Sequence, residues 1–336
     1  MIQDGPLRCA VLGLGVGEVH ARALVEAGCD LRQVYDPDAH KAWEVATAYH
    51  CLAAQHVEDI FDDGAVDLVV IASPDDMHAR QVLAALKAGK HVFVEKPVCL
   101  TVQDLRRIRR AWSAHGGRVK LLSNHILRAA PLYQRVKADV DAGRLGTLYA
   151  LDGEYLYGRL EKITNGWRGQ IPDYSVFLGG GIHMADLMLW LAGERPVAVR
   201  ARGNALCSHP HRLGFNDFAV AELVFPSGMV GRLAANFGCV QPHQHVLRVY
   251  GTKGTVLYDD AGARTYTSRS PETPHTPLAE SPHPEHKGAL LMQFVRWIAE
   301  DKDLAPMTQE VFDAVSVCLA CDKAAATGEE MEMEYV

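Results

Sequence analysis

The chain has 336 residues and a mass of 36.8 kDa, enough at roughly 150 residues per domain for two domains, each with its own core. Hydrophobic residues make up 48% and charged residues 22%, values that exclude wholesale disorder and a fibrous repeat. The 34 Lys and Arg against 41 Asp and Glu leave a formal charge of −7, which argues against a nucleic-acid partner, because counterion release needs a basic face.

Eight cysteines fall far below the density of a disulfide-stapled scaffold, and Cys9 and Cys239 sit in apolar contexts, so a reducing, cytoplasmic setting is expected. The apolar stretch at 9–16 follows Asp4 and is interrupted by glycines; it reads as a strand and not as a secretion signal. No apolar run approaches the roughly 18 residues of a membrane span, so a soluble protein without a membrane partner is expected.

From residue 7 to about 124, strand and helix alternate. Short apolar runs at 8–14, 31–35, 66–73, 91–95 and 119–123, with a weaker one at 51–53, are separated by helical stretches at 19–27, 38–49, 78–88 and 102–115. Gly28, Gly89 and Gly116 stand as helix stops; Asp36 is placed to cap the second helix with Pro37 at its first position, and Thr101 with Asp104 resembles a capping box. Strands that are apolar throughout and separated by helices mean a parallel sheet covered on both faces. The expected fold class is therefore α/β, with a doubly wound Rossmann domain over 1–124.

The rhythm changes near residue 125. After a helix at 131–142, strand-like runs dominate at 148–157, 197–205, 217–225, 229–237, 246–250 and 255–258, interrupted by one helix at 182–191. Residues 125–336 are read as an α+β domain with a large open, mainly antiparallel sheet. The segment 259–288 holds five of the sixteen prolines and is read as a loop or arm, after which come helical segments at 288–300 and 308–327. The basic run at 106–110 lies on a helix and reads as a solvated face.

Gly13-Leu14-Gly15-Val16-Gly17 lies between the first strand and the first helix, where glycines allow a tight turn and let backbone N–H groups approach a pyrophosphate. The spacing is one residue short of G-x-G-x-x-G, so the third glycine is free to pack differently. Asp36 ends the next strand 21 residues after Gly15; a carboxylate there accepts from both adenosine ribose hydroxyls and repels a 2′-phosphate, which favours NAD over NADP. Glu95-Lys96-Pro97 ends the fifth strand, and in an open α/β sheet ligands bind beyond the strand ends. Lys96 is thus directed toward the nicotinamide region, where an ammonium can hold a substrate hydroxyl and stabilise a developing alkoxide.

Together with Ser73-Pro74-x-x-x-His78, Gly89-Lys90-His91-Val92, Gly143-x-x-Gly146 and Gly180-Gly181-Ile182-His183-x-x-Asp186, these motifs resemble the Gfo/Idh/MocA oxidoreductases, the glucose-fructose oxidoreductase and inositol dehydrogenase family. The resemblance covers essentially the whole chain. It implies a tightly held nicotinamide cofactor, Lys96 and His183 as catalytic residues, Gly13, Gly15, Val16, Gly17 and Asp36 on the dinucleotide, Ser73, Pro74 and His78 in the loop beside it, and Glu95 next to the nicotinamide ribose. Asn124, Arg128, Tyr155, Trp167 and Arg168 lie where the family lines the substrate cleft. Many members carry an aspartate four residues before the histidine; here that position is Gly179, so either His183 works without that carboxylate or another group such as Asp173 or Asp186 fills the space, Asp186 lying on the same helical face as His183.

No metal is expected: His209-Pro-His211 and His243-Gln-His245 lack accompanying ligands at metal spacing, and Cys318-x-x-Cys321 reads as a helical-face pair. The expected activity is hydride transfer between NAD and a secondary alcohol of a sugar, with a nucleotide-linked amino sugar, UDP-N-acetylglucosamine oxidised at C3, as the leading substrate. An inositol or other cyclitol dehydrogenase, an NAD-dependent glycosidase and a non-catalytic NAD-binding regulator are the alternatives. The family's exposed sheet implies homodimers or homotetramers.

Overall fold

The computed structural model describes residues 5–172, 174–208 and 214–336. The chain divides into two units, one of residues 1–126 with 285–312 and Val336, the other of residues 127–284 with 313–335.

The first unit begins with β1 (Arg8–Leu12), α1 (Gly17–Glu26), β2 (Asp30–Tyr35), α2 (Ala39–Tyr49), β3 (Leu52–Ala53) and α3 (Val57–Asp62). It continues with β4 (Leu68–Ile71), α4 (His78–Lys87), β5 (His91–Val94), α5 (Val102–Ser113) and β6 (Leu121–Ser123). The six strands form a parallel sheet in the order β3-β2-β1-β4-β5-β6, the doubly wound arrangement expected of apolar strands alternating with helices. Every residue of β4 is fully buried, as a strand covered on both faces requires. Thr101 caps α5 by accepting from Asp104 N at 3.1 Å. The cap of α2 is Asp38, which accepts from His40 N and Lys41 N, and not Asp36, whose carboxylate is drawn back toward the first turn.

The second unit contains α6 (Pro131–Asp141), β7 (Leu148–Leu156), α7 (Glu161–Thr164), α8 (Ile182–Ala192), β8 (Ala198–Asn204), β9 (Phe218–Val224) and β10 (Val230–Asn236). Then follow β11 (Gln244–Gly251), β12 (Thr255–Asp259), β13 (Gly262–Tyr266), β14 (Thr276–Leu278) and, near the C-terminus, β15 (Met331–Glu332). These strands make a nine-stranded sheet, β14-β13-β12-β11-β7-β10-β9-β8-β15, in which β7 and β10 pair in parallel and the other described pairs are antiparallel. Helix α8 is apolar nearly all round and lies close on β7 at Gly153, where a Cβ would come within 2.7 Å of Met188 Sδ.

Three expectations are corrected. Within 259–288 the chain forms β13 and β14, which extend the sheet past β12; their half-exposed, mixed residues gave no clean alternation. Helix α3 is a short element with too few residues to show a period. The single boundary at 124/125 is not what the contacts give, because α9 (Ala289–Ala299) returns to pack on α1, with Gly288 against Ala23 and Phe294 against Phe93 at a ring separation of 5.7 Å. Helix α10 (Ala305–Thr327) starts in the first unit, where Thr308 Oγ1 donates to Leu121 O at 2.7 Å, and its residues from Asp313 onward belong to the second. Phe294 is fully buried, so Phe294→Ala is expected to cost about 3–5 kcal/mol in urea denaturation; a loss below about 1 kcal/mol would show that α9 is not part of the first core.

Candidate active site

In the parallel sheet the register aligns Leu12 with Tyr35 and with Ile71, Ile71 with Val94, and Val94 with Ser123. The next residue of each strand, Gly13, Asp36, Ala72, Glu95 and Asn124, therefore stands in a row along the carboxyl edge of the sheet, where ligands of open α/β sheets bind.

Gly13 has φ +80° and lies against the backbone of Ala72 and Ser73, where a Cβ would come within 2.6–2.7 Å; no other residue fits the turn. A Cβ on Gly15 would meet nothing within 4 Å, so this edge of the turn is open to a close backbone approach. Gly17 packs α1 onto Val11 and Ala72, at 3.0 and 3.2 Å from a notional Cβ. The three glycines thus have the tight turn, the open edge and the close helix packing that a dinucleotide fingerprint requires, despite the shortened spacing. Asp36 Oδ2 accepts from Leu14 N at 2.7 Å and Oδ1 from Asp38 N at 3.0 Å, which clamps the carboxylate while leaving each oxygen a further lone pair for a ribose hydroxyl.

Beyond β4, Ser73 Oγ donates to Gln81 Oε1 at 2.6 Å. The buried His78 has Nδ1 at 2.6 Å from Pro97 O and Nε2 at 2.9 Å from Ser73 O, so it ties the loops after β4 and β5 together. Glu95 Oε1 lies 2.8 Å from His20 Nε2 and accepts from Asn124 Nδ2 at 2.7 Å. Burial pushes this carboxyl up, but the His20 hydrogen bond and charge, the Asn124 amide and the Lys96 ammonium outweigh it and hold Glu95 down at about 2. The half-buried Lys96 follows directly. His20, whose side chain is fully buried, closes the Gly13–His20 stretch that carries part of the family resemblance, but no role for it was read from the sequence.

In the second unit Arg128 and Asp186 form a two-pronged pair, Nε–Oδ2 2.8 Å and Nη2–Oδ1 2.7 Å, with side chains 10% and 1% exposed and the guanidinium 5.7 Å from the Trp190 ring. Arg128 was expected to face substrate; its charge is instead matched by Asp186 inside the protein. Trp167 and Arg168 lie together, the guanidinium 4.3 Å from the ring centroid. Tyr155, near the end of β7, stacks on His183 at 5.9 Å. The antiparallel register sets His245 of β11 opposite Tyr155, and His243 two residues earlier on the same face; both rings meet Tyr155 edge-on, at 5.3 and 5.1 Å. The sequence showed this histidine pair but not that strand pairing would bring it to His183. His209, His211 and Asp173 lie outside the described residues, among which no metal-holding cluster occurs.

His183 opens α8 after a π-helical turn at Phe177–Gly181. A Cβ on Gly179 would overlap the Tyr174 hydroxyl oxygen, and one on Gly180 would overlap the Tyr155 ring, so the glycine run exists to admit two tyrosines. An aspartate at 179 has no room here.

Residues 7–122 match the oxidoreductase family with an NAD-binding Rossmann fold, and 133–257 match the GFO/IDH/MocA C-terminal domain. The chain belongs to the Gfo/Idh/MocA family and is an NAD-dependent oxidoreductase. It is 26% identical to inositol 2-dehydrogenase 2 of Saccharopolyspora erythraea over 98% of this chain and 96% of that one. It is 28% identical to the scyllo-inositol 2-dehydrogenase (NAD(+)) of Bacillus subtilis over 75% of this chain and 73% of that one. The fold is shared with scyllo-inositol dehydrogenase from Lactobacillus casei, solved with NAD(H) and scyllo-inositol: TM-score 0.79, 20% identity, 97% of this chain and 99% of that one. Among the described residues no helix is long and apolar enough to cross a membrane.

Two outcomes test this electrostatic reading. Glu95 is depressed from 4.5 to about 2, so its stabilisation, about 3 kcal/mol, is complete above pH 4.5 and lost as pH falls through 2; Glu95→Gln should flatten the acid limb of a stability-versus-pH curve in that window. Arg128→Met should cost about 3–5 kcal/mol by leaving Asp186 buried without its cation, and Arg128→Met/Asp186→Leu should recover most of it in thermal unfolding.

Proposed function

We propose that the protein is an inositol-type cyclitol dehydrogenase, oxidising one secondary ring alcohol with NAD. The observation that carries this over a nucleotide-linked sugar is the Arg128–Asp186 pair: a diphosphate needs uncompensated cations, and one of the two arginines expected at the cleft has its charge matched by a carboxylate. Among the described residues, phenol and imidazole rings stand against His183, donors and acceptors suited to a polyhydroxylated ring. The kinship with inositol dehydrogenases along nearly the whole chain supports the same choice, and the UDP-N-acetylglucosamine expectation gives way to it.

NAD, when bound, supplies the hydride acceptor. Gly13, Gly15 and the start of α1 would hold its pyrophosphate, and Asp36 its adenosine ribose. In the proposed roles, His183 accepts the proton of the reacting hydroxyl, and the Lys96 ammonium stabilises the oxygen as negative charge develops. Glu95, kept ionised by His20 and Asn124, puts a negative charge beside the Lys96 ammonium.

Lys96→Ala should lower kcat with myo- or scyllo-inositol by about 10²–10⁴-fold while the Kd for NAD changes little, read by NADH absorbance and by calorimetry. Unchanged kcat removes Lys96 from the mechanism; turnover of UDP-N-acetylglucosamine with none of either inositol overturns the substrate assignment.

A further inference from the structure

The π-helical turn before His183 sets the direction of that side chain. Ile182 N donates to Phe177 O, five residues back instead of four, so the turn holds one residue more than an α-helical turn. If it relaxed to α-helical spacing, every later side chain of α8 would rotate by about 100° about the axis, and His183 would leave Tyr155. Three successive residues of the turn, Gly179, Gly180 and Gly181, are of the weakest helix-forming type after proline, so local propensity does not hold it. Part of the support is internal: Ser175 Oγ accepts from Leu178 N at 2.9 Å, and Ser175 O accepts from Gly179 N at 2.8 Å. Further support comes from α10. The fully buried Cys318 donates its thiol to Phe177 O at 3.6 Å, so the carbonyl that closes the π-helical turn has a second donor. Burial pushes the Cys318 thiol well up, which keeps the proton on sulfur and the group a donor. Asp322 lies one helical turn further on, on the same face of α10, and is hydrogen-bonded to the side chain of Ser175.

We propose that Cys318 and Asp322 are positioning residues for the reaction, a two-point clamp from α10 that keeps the turn at Phe177–Gly181 π-helical and so holds His183 against Tyr155. One point is the carbonyl whose i to i+5 bond defines the turn, and the other is the serine that caps its first N–H groups. The clamp acts through Phe177 O and Ser175, not on the reacting atoms. It also gives the first cysteine of Cys318-x-x-Cys321 a task that the bare motif does not disclose: a small, buried donor at a carbonyl already engaged once.

The clamp serves the reaction through His183 as the proton acceptor proposed above, and the test reads the two separately. In the full-length protein the His183 ring resonances, shifted by the Tyr155 ring, are followed by NMR, with kcat for myo-inositol and the Kd for NAD measured in parallel. Cys318→Ala and Asp322→Ala should each displace the His183 signals and lower kcat by about 10–100-fold, with the Kd for NAD little changed. Cys318→Ser and Asp322→Asn, which keep a hydrogen-bonding group in place, should retain both signals and kcat. Val317→Ala removes methyls at the adjacent, fully buried position of α10 and should lower the melting temperature without moving His183 or kcat. The half-buried Asp322 keeps the test alive if Cys318→Ala does not fold. His183 signals and kcat unmoved in folded Asp322→Ala overturn the proposal, as does an equal displacement in Val317→Ala. Displaced signals beside a His183→Asn enzyme that retains kcat support the clamp and overturn only the base role.

Discussion

The register of the parallel sheet is the constraint on which the first unit turns. Because Leu12, Tyr35, Ile71, Val94 and Ser123 are held level by the ladder, the residue after each strand emerges at one height, and a glycine turn, two carboxylates and an amide fall into one row. A slip of one residue in β5 would exchange Glu95 with Val94 and turn an acid toward the core. The apolar strands fix that register through burial on both faces, so the chemistry of the edge is a consequence of packing beneath it.

Buried carboxylates in the two units meet the same electrostatic problem with different solutions. Glu95 is satisfied by an imidazole, an amide and a neighbouring ammonium, an arrangement that leaves part of its surface accessible at the strand edge. Asp186 is satisfied by one guanidinium in a two-pronged geometry that uses both oxygens and shields them almost completely. The first keeps a charged group available next to Lys96; the second removes two charges from the face on which substrate chemistry would act. This difference qualifies the net charge of −7: an acidic chain can still carry cations, but their number says nothing about how many remain uncompensated.

Much of the first unit was legible because its signals are local. A buried parallel strand is a run of apolar residues, a helix stop is a glycine, and the Gly13–Gly17 turn and Asp36 sit at spacings set by one βαβ unit. Even there, Asp36 was read as a helix cap, a role that Asp38 fills; two aspartates two residues apart cannot be told apart without the position of Leu14 N. Residues 285–312 were assigned to the wrong unit because a helix that returns across the chain carries an apolar stripe but no address. The second unit's site was less legible still, since it depends on pairing: nothing in His243-Gln-His245 specifies that β11 will run antiparallel to β7 with His245 opposite Tyr155.

The glycine run before His183 shows how a sequence departure acquires a physical meaning only in three dimensions. Read as a string, Gly179 is a missing aspartate. In the fold it is the place where the Tyr174 hydroxyl lies, and Gly180 is the place where the Tyr155 ring lies, so the two substitutions belong together with the tyrosines that occupy them. The π-helical turn widens the backbone at the same residues, which turns the start of α8 against β7 and brings the His183 ring onto Tyr155. Among the described residues the rings that meet His183 are those of Tyr155 and His245. The departure at 179 therefore changes what packs around the start of α8: two glycines and two tyrosines form one unit, in which neither glycine can gain a side chain unless a tyrosine gives way.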